Sequence, residues 1–420
     1  MRFRLAAAAA LFALAACATS GEPDAAAPPP ASPAFTHPPL SAQALTEHVR
    51  ILASDEFEGR APGGEGERLT VEYLERAFAA AGLQPGGSSG WRQNAQLMAA
   101  TLTNDPVLTI SGRDGARQYV YGQDFTAWTK RLDANIDIEN AELVFVGYGI
   151  NAPELGWNDY AGIDMRGRIA VILINDPDFD TGDDRGFGGR AMTYYGRWTY
   201  KYEEAGRQGA AGAIIIHQTA PAAYPWPVIG SRVSGPRFDV VREDRGASRA
   251  GFEGWIQESL ARDTFQRAGL DFDRLRAQAQ TRGFRPVRMG TLRGSISLET
   301  TFQQMESANV VGVIPGRTRP EEVVLYSAHW DHLGRCAPVD GDDICNGALD
   351  NATGTAALIE LARRFNAEGA PERTEETSRR LAPAQEAGPV AGRQRRHLVE
   401  EEEFRPARAA VATVAAHHVA

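Results

Sequence analysis

The chain has 420 residues, a formal net charge of −10 and three cysteines. That length suits one large or two medium domains. The acidic balance argues against a general nucleic-acid binder, which needs basic patches to contact phosphates.

Arg2 and Arg4 precede an apolar stretch from Leu5 to Ala16, too short to span a bilayer as a mature helix and in keeping with a signal peptide over residues 1–17. Leu14-Ala-Ala-Cys17 then resembles the bacterial lipobox, so Cys17 is the expected lipidation site, with a plain Ala-rich cleavage site as the alternative. Residues 18–40 carry Pro28-Pro-Pro30 and Pro38-Pro39, which suits an extended tether. Together they place the chain in the bacterial cell envelope, held on a membrane through an N-terminal lipid. Ala18 points to the outer membrane, facing the periplasm.

From 41 to 138 the sequence opens with Leu52-Ala-Ser-Asp-Glu-Phe-Glu-Gly-Arg60, then a helix from about Glu65 to Ala81. Gly86-Gly-Ser-Ser-Gly90 matches G-x-S-x-G literally, but a nucleophile elbow needs a buried strand before it and a helix after it. Here it is a polar turn, and it is set aside. Residues 139–300 read as an insertion. Strands are expected at Ala141–Gly149, Gly167–Ile174 and Ala213–His217, with a helix from Thr199 to Gln208. Phe252 to Thr281 reads as paired amphipathic helices.

Residues 301–366 hold the chemistry. Val323 to Tyr326 is a short apolar run expected to be a buried strand. Ser327-Ala-His-Trp-Asp-His-Leu-Gly334 follows, so His329 and Asp331 sit just past a strand's carboxyl end, where open α/β sheets place their sites. Asn346-Gly-Ala-Leu-Asp-Asn-Ala-Thr-Gly354 then leads into a helix marked by Ala356, Leu358, Leu361, Ala362 and Phe365. An imidazole with carboxylates suits zinc. His329 and Asp350 are the candidate metal ligands, and Asp331 is placed to orient the imidazole. The blander readings are a satisfied polar histidine and an Asp350 that merely caps its helix. His332 is expected to support the site or be structural.

Cys336 and Cys345 bracket the intervening loop. In an oxidising compartment they are expected to form a disulfide; two thiols alone make a poor zinc site, which is the alternative.

Taken together, H-x-D after a strand, D-N-A-T-G at a helix start and the opening L-A-S-D-E-F-E-G-R resemble the co-catalytic zinc aminopeptidases, a family that also contains glutamate carboxypeptidase. The order of elements in the insertion is similar to the protease-associated domain found within these peptidases. The resemblance implies an α/β fold: a zinc-exopeptidase-like mixed sheet flanked by helices, with an inserted β-rich domain. It further implies two zinc ions, a peptide substrate, His329 on one zinc, Asp350 bridging both and Asp331 counted as catalytic. The match ends near Phe365. The family continues with an apolar strand ending in two glutamates, one of them the general base. Here residues 367–420 are dense in Arg, Glu, Ala and Pro, and Glu375-Glu376 lacks an apolar run before it. Such a tail is expected to be disordered or to reflect a disrupted reading frame, and to supply no interior strands. The site should therefore lack its glutamate base and several ligands, leaving a catalytically inactive lipoprotein binding module or a truncated pseudoenzyme as the alternative function.

Overall fold

The computed structural model describes residues 40–230, 235–369, 371, 373–376 and 412–415. The expected signal peptide, Cys17 and the tether lie outside the described residues, as do His397, Glu400 to Glu403, His417 and His418. Among the described residues no helix is long and apolar enough to cross a membrane.

The opening segment forms two helices. α1 (Ala42–Leu52) starts at Ser41, whose hydroxyl accepts the Ala44 N–H at 3.2 Å, satisfying a donor the first turn leaves free. α2 (Glu65–Ala80) buries Val71, Leu74 and Phe78, which share a core with Val310, Val313 and Trp330. Glu67 on α2 is buried and accepts from Ser307 Oγ (2.8 Å) and Ala308 N (3.1 Å), tying the helix to the sheet.

The sheet strands are β1 (Arg92–Leu102), β2 (Phe125–Trp128), β3 (Asn135–Phe145) and β4 (Arg168–Leu173). After α3 (Trp198–Arg207) come β5 (Gly212–His217) and β6 (Phe252–Gln257). β3, β4, β5 and β6 run parallel in that order, and β2 closes the edge antiparallel to β6. β4 and β5 are apolar over nearly their whole length because both faces are covered, as parallel strands require.

Phe252–Gln257 is thus a strand and not the start of a helix. A six-residue segment with only Phe252, Trp255 and Ile256 as large apolar residues does not reveal its period. Gly254 lowers helix propensity, and pairing with β5 in register from Gly212↔Phe252 to His217↔Gln257 decides the outcome. The helical expectation holds from Glu258 onward: α4 (Glu258–Arg267) is followed by α5 (Phe272–Ala279), where Asp271 accepts the Arg274 N–H at 3.0 Å.

β7 (Val287–Ile314) is the longest strand and joins the two regions. Its first half pairs antiparallel with β3, its second half with β1 from Thr300↔Leu102 to Val310↔Arg92. β8 (Arg319–Leu325) and β9 (Ser327–His329) then approach the site, followed by the hairpin β10 (Gly334–Val339) and β11 (Asp342–Cys345). The expected strand at 323–326 exists but is not buried: Val323 is 47% and Leu325 49% exposed. β8 has one partner strand among the described residues, so it stands at an edge.

α6 (Thr353–Ala367) packs Leu358, Ile359 and Ala362 into the α2 core. The tail departs from expectation here. β12 (Arg373–Glu376) and β13 (Ala412–Ala415) both pair antiparallel with β7 and parallel with β8 and β9. Opposite Ile314, Val313, Gly312, Val311 and Val310 stand Glu375, Glu376, Ala412, Thr413 and Val414. The two tetrapeptides therefore fill consecutive positions of one lane, although residues 377–411 separate them. Unpaired strand edges accept any extended backbone, which explains how a charged segment such as Arg373–Glu376 enters the sheet.

Candidate functional site

His329 is the last residue of β9, and the next residue fixes how the chain leaves the strand. Trp330 is fully buried and its indole N–H donates to Ala308 O at 3.1 Å. With Trp330 pinned inward, its neighbours emerge on the other side. The His329 carbonyl is held by Thr355 Oγ1 (3.0 Å) and Asn351 Nδ2 (3.3 Å), so strand exit and helix start are bound together.

The three residues singled out in sequence converge. His329 Nε2 lies 3.1 Å from Asp350 Oδ1, and Nδ1 lies 3.3 Å from Asp331 Oδ1 and 3.1 Å from the Asp331 carbonyl. Asp331 is buried, whereas the Asp350 side chain is 56% exposed. Asp331 thus orients the ring from behind, and Asp350 meets its outward nitrogen on the open side. Asp350 is not the cap of α6; Asn351 Oδ1 accepts the Gly354 N–H at 3.1 Å and does that work. The peptide joining Asp350 to Asn351 is cis. His332 Nδ1 stands 3.9 Å from Asp350 Oδ2, beside the pair rather than in it.

Burial alone would depress the His329 imidazole, but hydrogen bonds to Asp331 and Asp350 outweigh it and push its pKa up to about 9. The folded value lies above the unfolded value of about 6.5, so the stabilisation is complete below pH 6.5 and is lost as pH rises through 9. The metal-free protein should accordingly lose stability between about pH 6 and pH 9.5 by urea unfolding, and His329→Gln should flatten the change. Equal pH dependence in both proteins would reject this linkage.

A metal fits the pair in one respect. The 3.1 Å between Nε2 and Oδ1 is close to the separation of two donors on a tetrahedral zinc with bonds of about 2.0–2.2 Å. The second nitrogen of the ring is held by a carboxylate, as in most zinc-bound histidines. Yet among the described residues no group of three or more His, Cys, Asp or Glu side chains is arranged to hold a metal ion. His329 and Asp350 amount to half a site.

In backbone register Glu375 and Glu376 stand opposite Val324 and Leu325, so Glu376 lies four residues short of His329 along the strand direction, about 13 Å. Ala415 is the register partner of His329. Cys336 and Cys345 form the disulfide, which settles their pairing against thiolate zinc ligation. Their hairpin rests on the turn at Gly59, where φ is +67° and a Cβ would lie 2.5 Å from Gly334 O and 2.6 Å from Cys345 O. Only glycine is accommodated there. Sequence reasoning did not single out Arg60, which lies fully buried beneath the pair; a charged residue two positions before Pro62 gave no signal of burial.

A sequence profile described as peptidase family M28 matches residues 309–376. Comparison with curated proteins gave no match. Among solved structures, the chain is similar to an aminopeptidase from Aneurinibacillus sp. strain AM-1, at 19% identity and a TM-score of 0.39, over 80% of this chain and 62% of that one. It is also similar to a peptidase M28 precursor from Shewanella amazonensis SB2B (16% identity, TM-score 0.37, 80% and 65% covered). A third is BSAP, a zinc aminopeptidase from Bacillus subtilis (16%, TM-score 0.33, 81% and 60%). The chain spans under two thirds of the length of each.

Proposed function

We propose that the chain is an exported, lipid-anchored zinc metallopeptidase of the aminopeptidase type that acts on peptides, a reading supported by the match of residues 309–376 to the peptidase family M28 profile. The observation that carries this reading is His329 held between Asp331 behind it and Asp350 in front. The insertion over residues 139–300 is taken as a protease-associated domain with a helical extension, on the order of its strands and helices. Cys17 is taken as the lipid anchor and the acidic chain as indifferent to nucleic acid, both on sequence alone.

His329 Nε2 and Asp350 would hold zinc, which when bound supplies a Lewis acid that polarises the scissile carbonyl and lowers the pKa of a water. Asp331 keeps the imidazole in one tautomer and one orientation by accepting from Nδ1. The exposed Asp350 carboxylate leaves the open side of the site accessible to a peptide. The proton of the attacking water needs a base within hydrogen-bond reach. Glu375 and Glu376 stand in backbone register with Val324 and Leu325, the nearer of them four residues from His329 along the strand.

That placement favours a second reading, a zinc-binding envelope module without turnover. Hydrolysis of aminoacyl 4-nitroanilides by zinc-loaded protein, with and without a chelator, decides between them. The peptidase reading expects chelator-sensitive release that disappears in His329→Ala. A cooperatively melting, zinc-loaded sample with no release rejects turnover and leaves the module.

A further inference from the structure

We infer that Arg60 is the positioning residue of the metal pair, clamping the strand exit that carries His329 and Asp331 to the loop that delivers Asp350. This rests on the zinc reading above. The Arg60 side chain is fully buried, and its hydrogen bonds go to backbone carbonyls from three separate segments. Nε donates to Trp330 O at 2.7 Å, at the peptide between His329 and Asp331. Nη1 donates to Asn346 O at 2.7 Å and to Leu52 O, and Nη2 to Gly347 O at 2.8 Å. In return the Arg60 carbonyl accepts the His332 N–H at 3.2 Å. One side chain therefore sets the distance between both halves of the pair and seats them on the end of α1.

Two further facts fit a clamp. Arg60 has φ of +54°, in the left-handed region that a side-chain-bearing residue rarely adopts, so the surroundings must enforce this turn. Gly347 faces the guanidinium so closely that a Cβ would lie 2.6 Å from Nη2. The planar fork with five donors is what the job needs. Lysine carries the same charge but has three donors on one atom and cannot reach carbonyls so spread.

The test compares Arg60→Met and Arg60→Lys with wild type in two ways. Zinc affinity is measured by competition with a chromophoric chelator, and backbone hydrogen exchange of residues 346–352 is measured in metal-free protein. Both variants are expected to lose about 10–100-fold in zinc affinity, the range for groups that hold ligands. Both should exchange faster at 346–352 while α4, α5 and β4 to β6 stay protected. Unchanged exchange at 346–352 in Arg60→Lys, or faster exchange across the whole molecule in both variants, would overturn the clamp. Should Arg60→Met not fold, Arg60→Lys alone decides. A wild-type protein that binds no zinc would overturn the zinc reading instead, and the metal-free exchange would still decide the role of Arg60.

Discussion

Replacing His329 by alanine is expected to lower zinc affinity by more than the roughly 10–100-fold that outer partners of a ligand typically cost. The imidazole offers Nε2 on the open side, 3.1 Å from Asp350 Oδ1. Asp350→Ala should have an effect of similar size, because it removes the opposite donor. Asp331→Asn should fall within the 10–100-fold range, since Asp331 acts on the metal only through the ring. His332→Ala should cost least, its nitrogen being 3.9 Å from Asp350 Oδ2. Competition titration with a chromophoric chelator measures the series. Equal affinity in His329→Ala and wild type would show that zinc is held elsewhere and would remove the basis of the peptidase reading.

The second large effect is on stability. Trp330→Ala is expected to cost about 3–5 kcal/mol, the range for emptying a large aromatic site in a packed core. Trp330 is fully buried among Leu74, Phe78, Val310 and Ile359, and its removal also strands the Ala308 carbonyl that its indole N–H satisfies. Trp330→Phe should recover much of the packing but not that hydrogen bond. Urea unfolding followed by circular dichroism measures both. A loss below about 1 kcal/mol would mean that the site relaxes into the gap and that Trp330 does not fix the strand exit.

Much of the centre was legible because local chemistry and periodicity agree there. An apolar run, H-x-D and then D-N-A-T-G before a 3.6-residue pattern place His329, Asp331 and Asp350 on one strand exit and one helix start, and the structure brings them together. What remained hidden depends on contacts distant in sequence. Arg60 meets Trp330, Asn346 and Gly347 only after folding, and nothing within residues 55–65 announces it. Phe252–Gln257 was ambiguous because so short a segment carries no clear period, and its partner β5 settled the matter. The short strands Arg373–Glu376 and Ala412–Ala415 have no strand signature. Backbone pairing with β7, not side-chain pattern, puts them in the sheet.

β7 has a mechanical consequence. One continuous strand from Val287 to Ile314 carries ladder bonds to β3 at one end and to β1 at the other. A swing of the inserted sheet relative to the His329 region would have to shear one of those ladders, breaking several backbone hydrogen bonds at once. The two regions are coupled like the ends of a beam, with no hinge between them. Admission of a ligand to His329 and Asp350 then depends on the short loops around them, and any load applied to the insertion reaches the metal pair as strain along β7.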